Sequence, residues 1–202
     1  MQKIGIIGTG GIGLAFAKHV VSSGYEVVLS NSRGPESLTE IVKSLKGAVK
    51  AGSVTDAAKA DVIFLGVQWK HLPHLVSAIP SWEGRIVIDP TNPIITPGFQ
   101  IADLKGRMSS EVVAEYLDGA RIVKAFNTFT PGLLGANPHE AGGRRVMFYA
   151  GNDEPAKLTV SGIIDKIGFA GVDLGRLNDG GKLINFPLGP LPTLNMIMLN
   201  KE

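Results

Sequence analysis

The chain contains no cysteine, which removes disulfides, thiolate nucleophiles and cysteine-bound metals together. Any redox function must then come from a bound cofactor. No apolar run approaches the length needed to cross a bilayer. Charge is close to balance: 20 Lys and Arg stand against 18 Asp and Glu, a net +2, and neither sign gathers into a block. Nothing here points to a nucleic-acid or membrane-surface partner. The first apolar run begins by residue 3 with no basic-then-apolar leader before it, so a cytoplasmic location is expected. No His–Asp couplet, HExxH or nucleophile elbow occurs. No catalytic residue is assigned and no metal site is expected.

Glycine, by contrast, is abundant. The 26 glycines exceed the usual share of roughly 7% and fall mostly at turns between apolar runs. The most informative stretch is KIGIIGTGGIGLAFAKHV, residues 3 to 20. Ile4, Ile6 and Ile7 supply a short buried strand, Gly8 allows a tight turn, and Gly10 admits backbone N–H groups to a pyrophosphate. Gly13 lets the following helix pack closely on the sheet. That helix, starting near Gly11, aims its unpaired amides and positive dipole end at bound phosphates. A second strand, EVVLS at 26 to 30, follows, and the order strand, glycine turn, helix, strand reads as a dinucleotide cradle.

The end of that second strand selects the dinucleotide. An NAD-binding chain normally places a carboxylate there for the ribose hydroxyls. This one reads Ser30, Asn31, Ser32, Arg33, Gly34, and Arg33 can fork onto a 2′-phosphate and lie over the adenine face. NADP(H) is therefore expected in preference to NAD(H).

Apolar runs alternate with helical stretches to about residue 175, the pattern of an α/β, Rossmann-type, doubly wound and mostly parallel sheet. One domain over 1–202 is expected, with 176–202 as a short C-terminal extension. Strands are expected near 48–52, 61–67, 85–90, 120–126, 144–151 and 169–175. Helices are expected from Pro35 to Gly47, Thr55 to Lys59, His71 to Ile79, Ser109 to Leu117 with Ser109 or Ser110 as its cap, and after Asp153 to Gly168. Pro187, Pro190 and Pro192 forbid one long helix in the tail; a turn-rich segment closing on a short helix from Thr193 to Leu199 is expected.

GIIGTGGIGLAFA, SNSRGPE, ADVIFLGVQW, IVIDPTNP, IVKAFNT, MFYAGNDEPAK and IGFAGVDLGRL, in that order, resemble the NADPH-dependent F420 reductase family, which passes hydride between NADP(H) and the deazaflavin coenzyme F420. The pattern is also similar to the reductase domain of the six-transmembrane epithelial antigen ferric reductases. The resemblance runs from about residue 3 to 177. It implies that Thr9, Gly10, Gly11 and Ile12 hold the pyrophosphate, Ser32 and Arg33 the 2′-phosphate, and that Val67, Trp69 and His71 lie along the ribose and nicotinamide. Thr91, Asn92 and Pro93 would line the nicotinamide end. Strand-end geometry adds Phe126, Asn127 and Thr128, since ligands of such sheets cross the carboxyl ends of the strands, and Asn31 and Gln68 are counted with the cofactor-binding residues. Where family members carry a proline and an aromatic, this chain has Gln68 and Trp69. The stretch Asn178 to Leu183 likewise lacks the arginine and glutamate of the F420-active members.

The resulting expectation is an NADP(H)-dependent oxidoreductase acting on a planar acceptor such as F420 or a flavin. Two other readings stand beside it: an NADP(H)-binding sensor without turnover, and a reductase of a small carbonyl or imine. Lys182 and Thr128 are candidates for touching the acceptor. Lys124 ends either beside the cofactor or at a solvated edge, and Trp69 either stacks on a ring or plugs the crevice. His71 and His74 read as helix-surface residues. The apolar tail, Phe186 to Leu199, either covers the acceptor cleft or forms the contact of a homodimer.

Overall fold

The computed structural model describes residues 2–79 and 81–200. It opens with β1 (Lys3–Ile7), α1 (Gly11–Ser22) and β2 (Glu26–Ser30). A 3-10 turn at Pro35–Leu38 leads into α2 (Thr39–Ser44), where the sequence predicts one continuous helix. Then come β3 (Val49–Ala51), α3 (Val54–Ala57), β4 (Val62–Leu65), a 3-10 turn at Trp69–His71, α4 (Leu72–Ala78) and β5 (Ile86–Asp89). A two-stranded hairpin, β6 (Ile94–Ile95) and β7 (Gln100–Ile101), precedes α5 (Ser109–Tyr116) and β8 (Arg121–Ala125). The remainder is α6 (Pro131–Leu134), β9 (His139–Glu140), β10 (Gly143–Gly151), α7 (Glu154–Lys166), β11 (Ala170–Asp173), α8 (Gly180–Leu183) and β12 (Ile197–Leu199).

The strands lie in the order β11-β10-β8-β5-β4-β1-β2-β3. From β3 to β8 every neighbour is parallel, the doubly wound arrangement in which strand order reverses between β1 and β4. β10 pairs antiparallel to β8, and β11 parallel to β10, so the sheet is mostly parallel, as its runs of apolar residues imply.

Alternate residues of each central strand go to opposite faces. Ile4, Ile6, Val62, Phe64, Ile86 and Ile88 join α1 and α7 in one core cluster, while Ile7, Ile63, Leu65 and Val87 join α3, α4 and α5 in the other. Phe16 of α1 stacks on Phe64 at 4.0 Å between ring centroids. Gly5 is where α3 comes closest: a Cβ there would sit 1.9 Å from the Ala57 carbonyl oxygen.

Two local expectations need correction. Ser109 and Ser110 lie inside α5 and are buried. The cap position belongs to Met108, whose N–H donates to Glu111 Oε2 at 2.9 Å. The tail segment expected to be helical instead ends in β12, which pairs antiparallel with Gly143–Arg145 of β10. The pairing is held from the side by the Arg145 guanidinium, which donates to Asn195 and to Glu140.

Asp153 accepts the Ala156 N–H at 2.8 Å and so caps α7. Asp153→Ala should remove about 1 kcal/mol, read as a melting temperature lower by roughly 2–4 °C in calorimetry.

Candidate functional site

A groove of about 680 Å³ opens where the strand order reverses. Its floor is the turn after β1, with Ile7, Gly8, Thr9 and Gly10, facing Gly66, Val67 and Gln68 after β4. Backbone crowding explains the glycines. Gly8 has φ +102°, and a Cβ on it would lie 2.1 Å from the Gly66 carbonyl oxygen. A Cβ on Gly13 would lie 2.1 Å from the Gly8 carbonyl oxygen, so α1 starts directly against this turn. Gly10, at the N-cap of the 12-residue α1, is different. A Cβ there meets nothing within 4 Å, so the space above it is open to a ligand. The first-turn amides of α1, from Gly11 and Ile12 onward, have no partner within the helix and make this end attractive to an anion.

One side of the groove is the loop Asn31, Ser32 and Arg33. Asn31 organises it. Its Oδ1 accepts the Arg33 N–H at 2.9 Å, and its Nδ2 donates to Ser37 Oγ at 3.0 Å and reaches Thr9 Oγ1 at 3.4 Å. The polar atoms of Asn31 thus bind the arginine loop to the glycine loop. Arg33 is exposed and takes part in none of the ion pairs found among the described residues. Ser30 is turned inward, its hydroxyl donating to the Ile6 carbonyl at 3.1 Å. The Glu36 carboxylate lies beside Gly34 and outside the groove lining, and among the described residues no acid lines the cleft.

The other side comes from α4 and its preceding turn, through His71, His74, Leu75 and Ala78. The spacing i, i+3, i+4, i+7 puts all four on one helical stripe, opposite Val54 at the start of α3. His74, Leu75, Ala78 and Val54 were missed as site residues, although that spacing was available as a signal. The slot has apolar walls and lies beside Arg33, suiting a purine ring. His71 thus belongs to the same half of the groove as Arg33. Trp69 packs against the α4-side core cluster instead of lining the groove.

Beyond the groove, at the carboxyl ends of β5 and β8, lies a second set of polar residues. Asn92 Nδ2 donates to the Asn127 carbonyl at 2.9 Å, and Asn127 Nδ2 donates to Asn92 Oδ1 at 3.2 Å and to the Ile184 carbonyl at 2.6 Å. This triangle ties the turn after β5, the turn after β8 and the segment after α8 to one point. Asn127 Oδ1 and Thr128 Oγ1 are buried with no hydrogen-bond partner in the structure, an arrangement that costs about 1–3 kcal/mol per group unless a ligand or water completes it. Thr91 and Pro93, on either side of the half-buried Asn92 in sequence, are buried. Phe126 is placed differently from its expected role: its ring is wholly buried, edge-on to Phe16 at 5.0 Å and to Phe64 at 5.7 Å. Its side chain is core. Lys124 is not at a solvated edge, the second of its two expected places. It is 1% exposed and paired with Asp89. Lys182 is exposed on α8.

A sequence profile of the NADP oxidoreductase, coenzyme F420-dependent family matches residues 3–93. The rat (Rattus norvegicus) metalloreductase STEAP3 is 30% identical over 191 residues, covering 95% of this chain and 37% of the relative. The chain thus spans little more than a third of the length of that curated relative. A solved hypothetical protein of Sinorhizobium meliloti, SMa0349, is 39% identical with a TM-score of 0.92, covering 98% of this chain and 96% of the other. A protein of Arthrobacter sp. fb24 assigned as an F420-dependent NADP reductase shares the fold, with a TM-score of 0.75, 23% identity, and coverage of 88% of this chain and 86% of that one. The glycine turn and the reversal of strand order both lie within the stretch this profile matches, so residues 3–93 are similar to the coenzyme F420-dependent NADP oxidoreductases.

Proposed function

We propose that the protein is an NADP(H)-dependent oxidoreductase that moves hydride between the nicotinamide and a planar redox acceptor, coenzyme F420 or a flavin. The observation that carries this reading is the unpaired Arg33 at the carboxyl end of β2, in a groove that no carboxylate enters. A 2′-phosphate needs such a cation and would be repelled by the acid found in NAD-selective folds.

Each part of the chain then has a physical task. The open space over Gly10 and the free amides of α1 receive the pyrophosphate. Ser32 and Arg33 hold the 2′-phosphate, and Val54, Leu75 and Ala78 flank the adenine. Val67 and Gln68 lie along the sugar, and the Thr91–Asn92–Pro93 turn, with Asn127 and Thr128, receives the nicotinamide end. The orphaned Asn127 Oδ1 and Thr128 Oγ1 suit a carboxamide or the edge of an acceptor ring. When bound, the coenzyme supplies or accepts the hydride at its ring C4. Transfer between two stacked planar heterocycles needs little proton chemistry from the protein, so alignment and exclusion of water supply most of the effect. A site without a catalytic acid–base pair is consistent with that chemistry.

The exposed apolar residues Leu188, Leu194, Met196, Met198 and Leu199 support a role for residues 176–202 as a cover for the acceptor or a contact in a homodimer within a single-domain, cytoplasmic protein. Metalloreductase relatives favour including ferric chelates among the acceptors tested. Purified protein should be mixed with NADPH and, separately, with F420, FMN, FAD and ferric chelates, following the near-ultraviolet absorbance of reduced nicotinamide. Turnover with F420 or a flavin is expected. Binding of NADPH without turnover on any acceptor would replace this reading with that of a sensor, and turnover on a ferric chelate alone would replace the acceptor.

A further inference from the structure

Among the described residues Lys124 has the most deeply enclosed lysine side chain, 1% exposed on β8 of the central sheet. It stands in register with Asp89 of β5, and its Nζ lies 3.0 Å from Asp89 Oδ2. The same ammonium donates to the Thr91 carbonyl. Asp89 in turn accepts the Thr91 N–H at 2.8 Å and the Thr91 hydroxyl at 2.7 Å on Oδ1. The three side chains are 0 to 4% exposed. Apart from the bond between them, the hydrogen bonds of the pair go to one residue, Thr91, immediately before Asn92.

Such a pair is a poor device for stability, because desolvating two charges cancels much of their attraction and apolar residues of similar volume often do as well. Its neighbours on the two strands are apolar. What the pair does supply is direction. A turn held only by packing can shift by fractions of an ångström, whereas one gripped at its N–H, hydroxyl and carbonyl together cannot rotate without breaking charge-assisted bonds.

We propose that Lys124 is a positioning residue for the nicotinamide end of the coenzyme site. Acting through Asp89 and Thr91, it fixes Asn92 against Asn127 and so sets the place of the ring that carries the hydride. The inference rests on the coenzyme reading above, and it predicts that the two halves of the coenzyme respond differently to loss of the lysine. Arg33, which holds the 2′-phosphate of the adenosine half, follows β2 on the far side of the reversal point from β8, so that half should not sense the change.

The test uses calorimetry on the full chain with two probes, NADPH and adenosine 2′,5′-bisphosphate, which lacks the nicotinamide half. Lys124→Met should weaken NADPH about tenfold while leaving the bisphosphate within about twofold. The fluorescence gain of NADPH on binding should also fall, because the ring is less fixed. Should the buried carboxylate left behind prevent folding, Asp89→Asn/Lys124→Met removes both charges and carries the same comparison. Equal weakening of both probes, or a lowered melting temperature with neither affinity changed, would assign Lys124 a merely structural role and overturn the proposal. Failure of the wild-type chain to bind the bisphosphate would instead overturn the coenzyme reading itself, and this inference with it.

Discussion

Arg33→Ala is expected to weaken NADPH by roughly ten- to a hundredfold and to leave NADH within about threefold, because a hydrogen bond to a charged group contributes about 1.5–3 kcal/mol. Selectivity should follow from a single side chain, since nothing else on that wall of the groove carries a permanent positive charge. The backbone geometry that presents the arginine does not depend on its guanidinium: Asn31 Oδ1 takes the Arg33 N–H, and Ser37 Oγ donates to the Gly34 carbonyl at 2.7 Å. Alanine should therefore leave the loop in place. Arg33 is exposed, so its attraction to the phosphate is screened by salt, and the NADPH preference should shrink between low and high ionic strength in the wild type but not in the variant. Arg33→Lys should fall between the two, keeping the charge and losing the fork. Competitive titration of the two coenzymes measures all of this. Equal loss of NADPH and NADH in Arg33→Ala would remove the guanidinium from the 2′-phosphate site.

Much of the frame was legible because its signals are local. Ile4 to Ile7, Val62 to Leu65 and Ile86 to Asp89 are short apolar runs closed by glycine or proline, and each forms a strand within a residue or two of its expected place. The groove's glycine floor was legible for the same reason. What was not legible depends on partners distant in sequence. Lys124 could be placed on a strand but not on a side, because its partner Asp89 is 35 residues away and strand periodicity names a face, not a neighbour. Phe126 sits at the expected strand end, yet φ +65° turns its ring inward to two other phenylalanines.

The tail is the sharpest case. Leu194 to Leu199 is dense in residues with good helix propensity, and local preference alone favours a helix. Tertiary pairing overrides it. β10 extends past the parallel sheet, and Gly143 lets the tail backbone come so close that a Cβ there would lie 2.3 Å from the Met198 carbonyl oxygen. The α4 stripe, by contrast, is a local signal: His71, His74, Leu75 and Ala78 follow helical spacing, so its groove-facing leucine and alanine were legible in the sequence.

Two glycines of the same turn should give opposite results when changed to alanine, and the contrast separates folding from binding. Gly8→Ala forces a side chain into a left-handed conformation at φ +102° and drives Cβ to 2.1 Å from the Gly66 carbonyl oxygen. Neither β1 nor β4 can retreat, since each is paired on both sides in the middle of the sheet. A loss of about 3 kcal/mol or more is expected, as for other overpacked or strained core sites. That corresponds to a melting temperature lower by roughly 6–12 °C. Gly10→Ala meets no atom within 4 Å and has φ −73°, a value any residue adopts. Its melting temperature should stay within about 2 °C of the wild type. Its NADPH affinity should nevertheless fall by about a hundredfold or more, because the methyl group would occupy the space the pyrophosphate needs and hold it off the amides of α1. Arg33→Ala discriminates between coenzymes; Gly10→Ala should not, and NADH should be lost in the same proportion as NADPH. Scanning calorimetry with and without coenzyme reads both quantities in one experiment. If Gly10→Ala kept its stability and also its affinity, the open volume above that residue would not be where the diphosphate lies, and the groove would need a different occupant.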